Sequence, residues 1–240
     1  MGTVYIIGAG PGDPELITLK GLKRLKDSDI VLYDRLVNRD ILKFAKRGAK
    51  LIYVGKEPGR HEYSQDDIIN MMIEYAKEGY NVARLHGGDP FLFGRGFEEI
   101  LKLREEGIRY EIIPGVSSIY AVPEYFEIPL VLRGYASSFA VATGMEDPKK
   151  GRKFVDFRKI SNSVDTIVIV MGAKNIKNIV KELVEGGKDL ETPIAILRAY
   201  IGEELKIITT LKEILTKDIN VEPPVVIVVG DVLRVINKLR

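Results

Sequence analysis

Arg84-Leu-His-Gly-Gly-Asp-Pro-Phe-Leu-Phe-Gly-Arg-Gly96 is the stretch that decides the fold. It follows directly on the apolar-alternating run Tyr80–Leu85. Two glycines remove Cβ atoms where a strand ends, and Pro90 fixes the exit direction of the chain. Asp89 then points a carboxylate or a cap into the crevice where open α/β sheets bind small molecules. The same residues also suit a plain strand-to-helix turn, with Asp89 capping a helix from Leu92 onward.

The flanking sequence repeats the pattern. Strands are expected at Met1–Ile7, Ile30–Tyr33, Lys50–Val54, Asn81–Leu85 and Tyr110–Ile113. Between them, helical spacing of apolar residues predicts helices over Thr18–Asp27, Arg39–Lys46, Ser64–Lys77 and Leu92–Glu106, with Thr18 as an N-cap. Strands alternating with helices through short loops predict a parallel, Rossmann-like sheet. Pro114-Gly-Val-Ser-Ser118 breaks the rhythm. Beyond it a helix is expected around Ile119–Tyr125 and another at Ala173–Glu185. Strands are expected at Ser137–Thr143, Thr166–Met171, Pro193–Arg198, Leu205–Thr210 and Pro224–Val229. The expected organisation is therefore two α/β domains, 1–114 and 115–240, the second with a mixed sheet. The charged segment Asp147–Asp165 reads as a solvated face or loop.

Composition bounds the function. The chain has 240 residues, 45% of them hydrophobic and 29% charged, with a net charge of +2. No bulk field attracts nucleic acid, so an anionic ligand needs a local basic cluster. Cysteine is absent, which excludes disulfides, thiolate metal sites and cysteine nucleophiles. No segment approaches the ~20 apolar residues of a membrane span, and the N-terminus enters a strand without a signal-peptide pattern. A cytoplasmic protein with no membrane or nucleic-acid partner is expected.

Gly8-Ala-Gly10-Pro-Gly12-Asp-Pro-Glu-Leu-Ile-Thr18 invites a dinucleotide reading, with Asp34 as the ribose-binding acid. The spacing argues otherwise. A pyrophosphate loop needs Gly-x-Gly-x-x-Gly and a helix N-terminus aimed at the phosphates. Here Pro11 and Pro14 remove donors, Asp13 and Glu15 repel phosphate, and the helix starts only near Thr18. The loop suits an uncharged or cationic partner.

Taken in order, these blocks resemble the tetrapyrrole methylase family along nearly the whole chain. The matching stretches are Val4–Thr18, Tyr33-Asp-Arg-Leu-Val37, Gly55-Lys56, Gly59-Arg-His61, Gln65-x-x-Ile68-x-Asn70, Arg84–Gly96, Pro114-Gly115 with Ser117-Ser118, Ile128-Pro129-Leu130 with Arg133, and Thr143-Gly144. The resemblance implies S-adenosylmethionine held in a crevice between two α/β domains, with S-adenosylhomocysteine as product and no metal. Its cofactor positions fall on Pro11, Gly87, Gly88, Asp89, Leu92, Ser117, Ser118, Met171 and Tyr200. Its proton acceptor and donor fall on Asp34 and Lys56. The implied reaction is methylation of uroporphyrinogen III at C2 and C7 to precorrin-2, by a homodimer. Another precorrin or cobalt-precorrin methylase is the alternative, and a nucleotide-dependent oxidoreductase a more distant one.

The eight carboxylates of that substrate call for several cationic groups. Arg35, Arg60, His61, Arg84, Arg95 and Arg133 lie in or beside the matched blocks. Read without the family, each is a surface charge, and Asp34 with Arg35 or Lys56 is a loop-holding ion pair. Three departures from the family pattern stand out. His86 replaces a usual lysine, Met145 stands where a histidine commonly follows Thr-Gly, and Tyr200 occupies a usual glycine position.

Overall fold

The computed structural model describes residues 1–55, 63–146, 151, 154–200 and 202–238. It divides into two compact units, Met1–Ser117 and Ser118–Arg240.

The first unit holds a wholly parallel sheet of β1 (Thr3–Gly8), β2 (Ile30–Tyr33), β3 (Lys50–Tyr53), β4 (Val82–His86) and β5 (Arg109–Ile113), in the order β3-β2-β4-β1-β5. Its helices are α1 (Leu19–Lys26), α2 (Gln65–Lys77) and α3 (Gly96–Glu105). Thr18 caps α1 by accepting from the Gly21 amide. Ser64 and Asp67 form a reciprocal capping box on α2, satisfying two of the amide groups a helix start leaves unpaired. The sheet is covered on both faces, as parallel sheets require. Along β4, Val82 packs with Ile100 and Leu103 of α3, while Ala83 and Leu85 pack with Ile7 and Val31 in the cluster on the other face. This is the period-two alternation of a strand.

The second unit begins with α4 (Ser118–Tyr125) and builds a mixed sheet of β6 (Phe139–Thr143), β7 (Thr166–Val170), β8 (Pro193–Tyr200), β9 (Glu203–Thr210) and β10 (Val226–Val229), in the order β6-β7-β10-β8-β9. Only the β6–β7 pair is parallel. Helices α5 (Phe157–Ile160), α6 (Ile176–Glu185) and α7 (Leu211–Thr216) complete it. Two apolar clusters lie within this unit, one containing Ile167 and Ile169, the other Val168 and Val170.

The expected two α/β sheets, parallel and then mixed, are what the chain forms. Three details differ. The segment expected as a helix from Arg39 is a 3-10 turn over Arg39–Phe44. The first residues of the Ala173–Glu185 helix are likewise 3-10. The helix expected from Leu92 starts at Gly96, because Asp89 caps the turn at Phe91 and Leu92 instead and Phe93 turns left-handed at φ 57°.

Candidate functional site

The C-terminal ends of the parallel strands gather most of the residues singled out in the first unit, which is where open α/β sheets present their chemistry. These ends are tied together by main chain. The loops after β1 and β4 form an antiparallel bridge: Gly88 N–H donates to the Gly10 carbonyl at 2.8 Å and Gly10 N–H to the Gly88 carbonyl at 3.3 Å. The backbone of Gly115, after β5, lies so close that a Cβ there would stand 2.3 Å from the Gly88 oxygen. A Cβ on Gly87 would meet the Leu36 Cβ at 2.5 Å. Gly87 and Gly115 are therefore glycine because neighbouring loops occupy the space, a reason intrinsic to the protein.

Side chains reinforce the tie. The buried Asn38 amide donates to the Gly12 carbonyl at 2.7 Å, linking the loops after β2 and β1. Asp89 uses Oδ1 to accept from the amides of Phe91 and Leu92, at 2.8 and 3.2 Å, and Oδ2 to accept from Gly115 N–H at 3.0 Å. It thus joins the β4 and β5 loops. Pro11 stands half-exposed between Gly10 and Gly12, and Leu92 is 50% exposed. A short 3-10 turn over Pro14–Leu16, capped by the acidic Asp13, separates the glycines from α1, so the α1 N-terminus does not directly follow them, against a dinucleotide loop.

Asp34 follows β2. Its Oδ1 accepts from the Leu36 amide at 3.2 Å, and its Oδ2 lies 3.6 Å from Nη2 of Arg84. Arg84 itself is only 4% exposed. Its Nε donates to Oε1 of Glu99 at 3.0 Å and its Nη1 to the Leu85 carbonyl at 2.8 Å. Glu99, fully buried on α3, also accepts from Gln65 Nε2 on Oε1 at 3.0 Å and meets His86 Nε2 through Oε2 at 2.8 Å. Although burial opposes ionisation, the neighbouring His86 and Arg84 lower the Glu99 carboxyl to about 2.

Arg84, one of the expected substrate contacts, is buried, and its donors face Glu99, Asp34 and its own strand. His86 belongs to the same buried cluster, so its departure from the family pattern falls on an internal hydrogen bond to Glu99. Glu99 carried no expectation. The available signal was β4 alternation, which places Arg84 and His86 on the face of Val82, where apolar residues were due. An arginine and a histidine there call for a buried polar partner.

Among the other expected cations, Arg35, Arg95 and Arg133 are exposed. Arg95 pairs with Glu98. Lys56, Arg60 and His61 lie outside the described residues. Ser117 is buried at the end of the first unit, and Ser118 opens α4.

In the second unit, Met171 follows β7 with a left-handed backbone, φ 57°, and is 50% exposed. A side chain rarely adopts that conformation, and such strain gathers at functional sites. Neighbouring chain is packed tightly: Gly144 N–H donates to the Val170 carbonyl at 2.8 Å, and a Cβ on Gly144 would lie 2.4 Å from Gly172 Cα. Tyr200 ends β8, half-buried, opposite Glu203 on β9. Thr143 bonds with the backbone of Met145, which is exposed. A polar cavity of about 390 Å³, lined by residues including Asp165, Lys188 and Asp231, opens at the start of β7, the opposite end from Met171.

The architecture and strand-end site define a small-molecule α/β enzyme class, and the chain belongs to the Tetrapyrrole (Corrin/Porphyrin) Methylases, whose family model matches residues 3–215. Within it, the chain is 50% identical over 240 residues to a uroporphyrinogen-III C-methyltransferase of Methanocaldococcus jannaschii, covering 98% of each. It is 44% identical to that of Priestia megaterium, covering 98% of this chain and 99% of the relative. The uroporphyrin-III C-methyl transferase of Thermus thermophilus, solved complexed with S-adenyl homocysteine, superposes with a TM-score of 0.83 at 37% identity, covering 98% of this chain and 94% of that one.

Proposed function

We infer that this chain is an S-adenosylmethionine-dependent methyltransferase that methylates uroporphyrinogen III at C2 and C7, giving precorrin-2 and two molecules of S-adenosylhomocysteine. The observation that carries this is 50% identity, over 98% of both chains, to an enzyme of that name.

When bound, S-adenosylmethionine supplies a sulfonium methyl, which the nucleophilic pyrrole carbon takes in line as the C–S bond breaks and a C–C bond forms. The methylated ring is then cationic and must lose a proton. Asp34 is proposed as the acceptor, standing at a strand end with one oxygen anchored to the Leu36 amide. Lys56 is proposed to return or relay a proton. The chemistry needs no metal, because the sulfonium is already an activated leaving group.

The proposed cofactor contacts are Pro11, Gly87, Gly88, Asp89, Leu92, Ser117 and Ser118, with Met171 and Tyr200 packing on adenine. Two observations fit: exposed apolar side chains at Leu92 and Met171, and a glycine loop that lacks a phosphate-binding helix start. Arg35, Arg60, His61, Arg84, Arg95 and Arg133 are the proposed partners for substrate carboxylates, Arg84 from its buried position behind Asp34.

A cytoplasmic homodimer completes the proposal. No described helix is long and apolar enough to cross a membrane. Tyr120 and Tyr125 are exposed on α4 and suit an interface, whereas Phe126 is buried in the core of its own unit. Sedimentation as a monomer at micromolar concentration would remove the dimer. The function is tested by incubating the protein with uroporphyrinogen III and a labelled methyl donor. Mass spectrometry should show a doubly methylated product, and an unmethylated tetrapyrrole would overturn the reading.

A further inference from the structure

Arg84 stands between two carboxylates and treats them unequally. Its Nε lies 3.0 Å from Glu99, a hydrogen bond, whereas its Nη2 lies 3.6 Å from Asp34, beyond one. The geometry points to Glu99 as a positioning residue for Asp34: by gripping Arg84 from behind, it keeps the guanidinium from closing onto the carboxylate that works on substrate. This inference rests on the reading of Asp34 as proton acceptor.

The physical argument starts with charge. A lone carboxylate buried as completely as Glu99 costs several kcal/mol, and here three side chains offset that cost. Arg84 and His86 reach it from β4, and Gln65 from the first turn of α2. On its own helix approach, Arg95 also feels its field. Both Glu99 oxygens are thereby fixed, and the ionised form is held well below the usual carboxylate range by His86 and Arg84.

Glu99 then acts on Arg84 in two ways. It cancels much of the guanidinium charge that Asp34 would otherwise face, and it fixes the plane of the fork. The Leu85 carbonyl holds a further nitrogen, so the group cannot slide toward Asp34 without breaking bonds on its inner side. Arg35 adjoins Asp34 in the chain and is exposed. Arg84 is thus the cation whose distance to Asp34 is set from inside the protein. An arginine free to pair closely with Asp34 would make a short charge-assisted contact. That contact stabilises the carboxylate and weakens it as a base.

The test is Glu99→Gln, which keeps shape and one acceptor oxygen while removing the charge. In its crystal structure Arg84 should close onto Asp34 to about 2.8 Å, the length of a charge-assisted pair. In steady-state kinetics kcat should fall roughly tenfold, as on loss of an outer partner of a functional group, with KM for uroporphyrinogen III and affinity for S-adenosylhomocysteine unchanged. In an Asp34→Asn background the same substitution should have no further effect on kcat. A structural role alone would lower the melting temperature and change kcat by the same factor in both backgrounds.

An unmoved Arg84, or kcat losses that multiply, would overturn the inference. Should Glu99→Gln not fold, Arg84→Lys carries the test. Its single ammonium cannot bridge both carboxylates, so its kcat loss should again vanish beside Asp34→Asn, and persistence there overturns the inference. Failure of the wild-type protein to methylate uroporphyrinogen III strikes the functional reading instead. The position of Arg84 in the Glu99→Gln structure still decides this one.

Discussion

At the strand ends of the parallel sheet, loop is bound to loop. The Gly10–Gly88 bridge, Asn38 on Gly12 and Asp89 on Gly115 hydrogen-bond the loops after β1, β2, β4 and β5 to one another. The end of β7 in the mixed sheet works differently. There one residue, Met171, is held in a left-handed conformation that turns an apolar side chain outward, on a base of close-packed glycines. The first arrangement suits groups that must stay in place during proton transfer. The second suits an apolar contact, where position matters less than exposure. Charge divides the same way. The described first unit buries Arg84, His86 and Glu99 together, whereas among the described residues of the second a buried charged residue, Glu182, sits on a helix facing Asn178.

The sharpest way to break this contrast is Asp34→Asn. Loss of a positioned proton acceptor should lower kcat about 10²–10⁴-fold while S-adenosylhomocysteine affinity, measured by calorimetry, stays nearly intact. Normal turnover with a lowered melting temperature would make Asp34 a loop tie.

Acid provides the next largest effect. Glu99 falls from an ordinary value of 4.5 to about 2 in the folded protein. Its contribution is therefore present above about 4.5 and lost as pH falls toward 2. The size is on the order of 3 kcal/mol. Denaturation midpoints between pH 5 and pH 2 should show wild type losing its advantage over Glu99→Gln across that window. A constant difference would refute the assignment.

Met171→Gly addresses the other end of the comparison. Relief of a left-handed side chain gains about 1–3 kcal/mol, and glycine's extra chain entropy returns about 0.5–1 kcal/mol. The melting temperature should rise slightly while S-adenosylhomocysteine binds several-fold more weakly. Unchanged binding would remove Met171 from the adenine contact.

The smallest effect on stability belongs to Arg95→Ala, since its exposed pair with Glu98 is worth about 0–1 kcal/mol. A raised KM for uroporphyrinogen III at unchanged stability is expected. An unaltered KM would leave Arg95 an ordinary surface charge.

The sheets were legible because their strands are short apolar runs bounded by glycine, proline and caps. Thr18 and Ser64 start helices where the sequence places them. Local pattern misled over Phe91–Arg95, whose apolar residues mimic helix spacing. There the hydrogen bonds of Asp89 and the packing of Gly94 on the Pro90 carbonyl hold a turn. Helix α7 escaped because six residues give too little periodicity. The burial of Arg84 escaped for another reason. Its partner Glu99 lies fifteen residues on, and only the packing of α3 against β4 brings them together.

The Gly10–Gly88 stitch also bears on how such an enzyme can diverge. A wall built from main chain, held by main chain, is indifferent to most side-chain drift around it. On the proposed function, new substrate preferences would accumulate at exposed positions such as Arg35 and Arg133 without rebuilding that wall. The glycines themselves are different: a methyl group at Gly115 would collide with the Gly88 backbone. Adaptation would therefore run through the surrounding cations and leave the stitch alone.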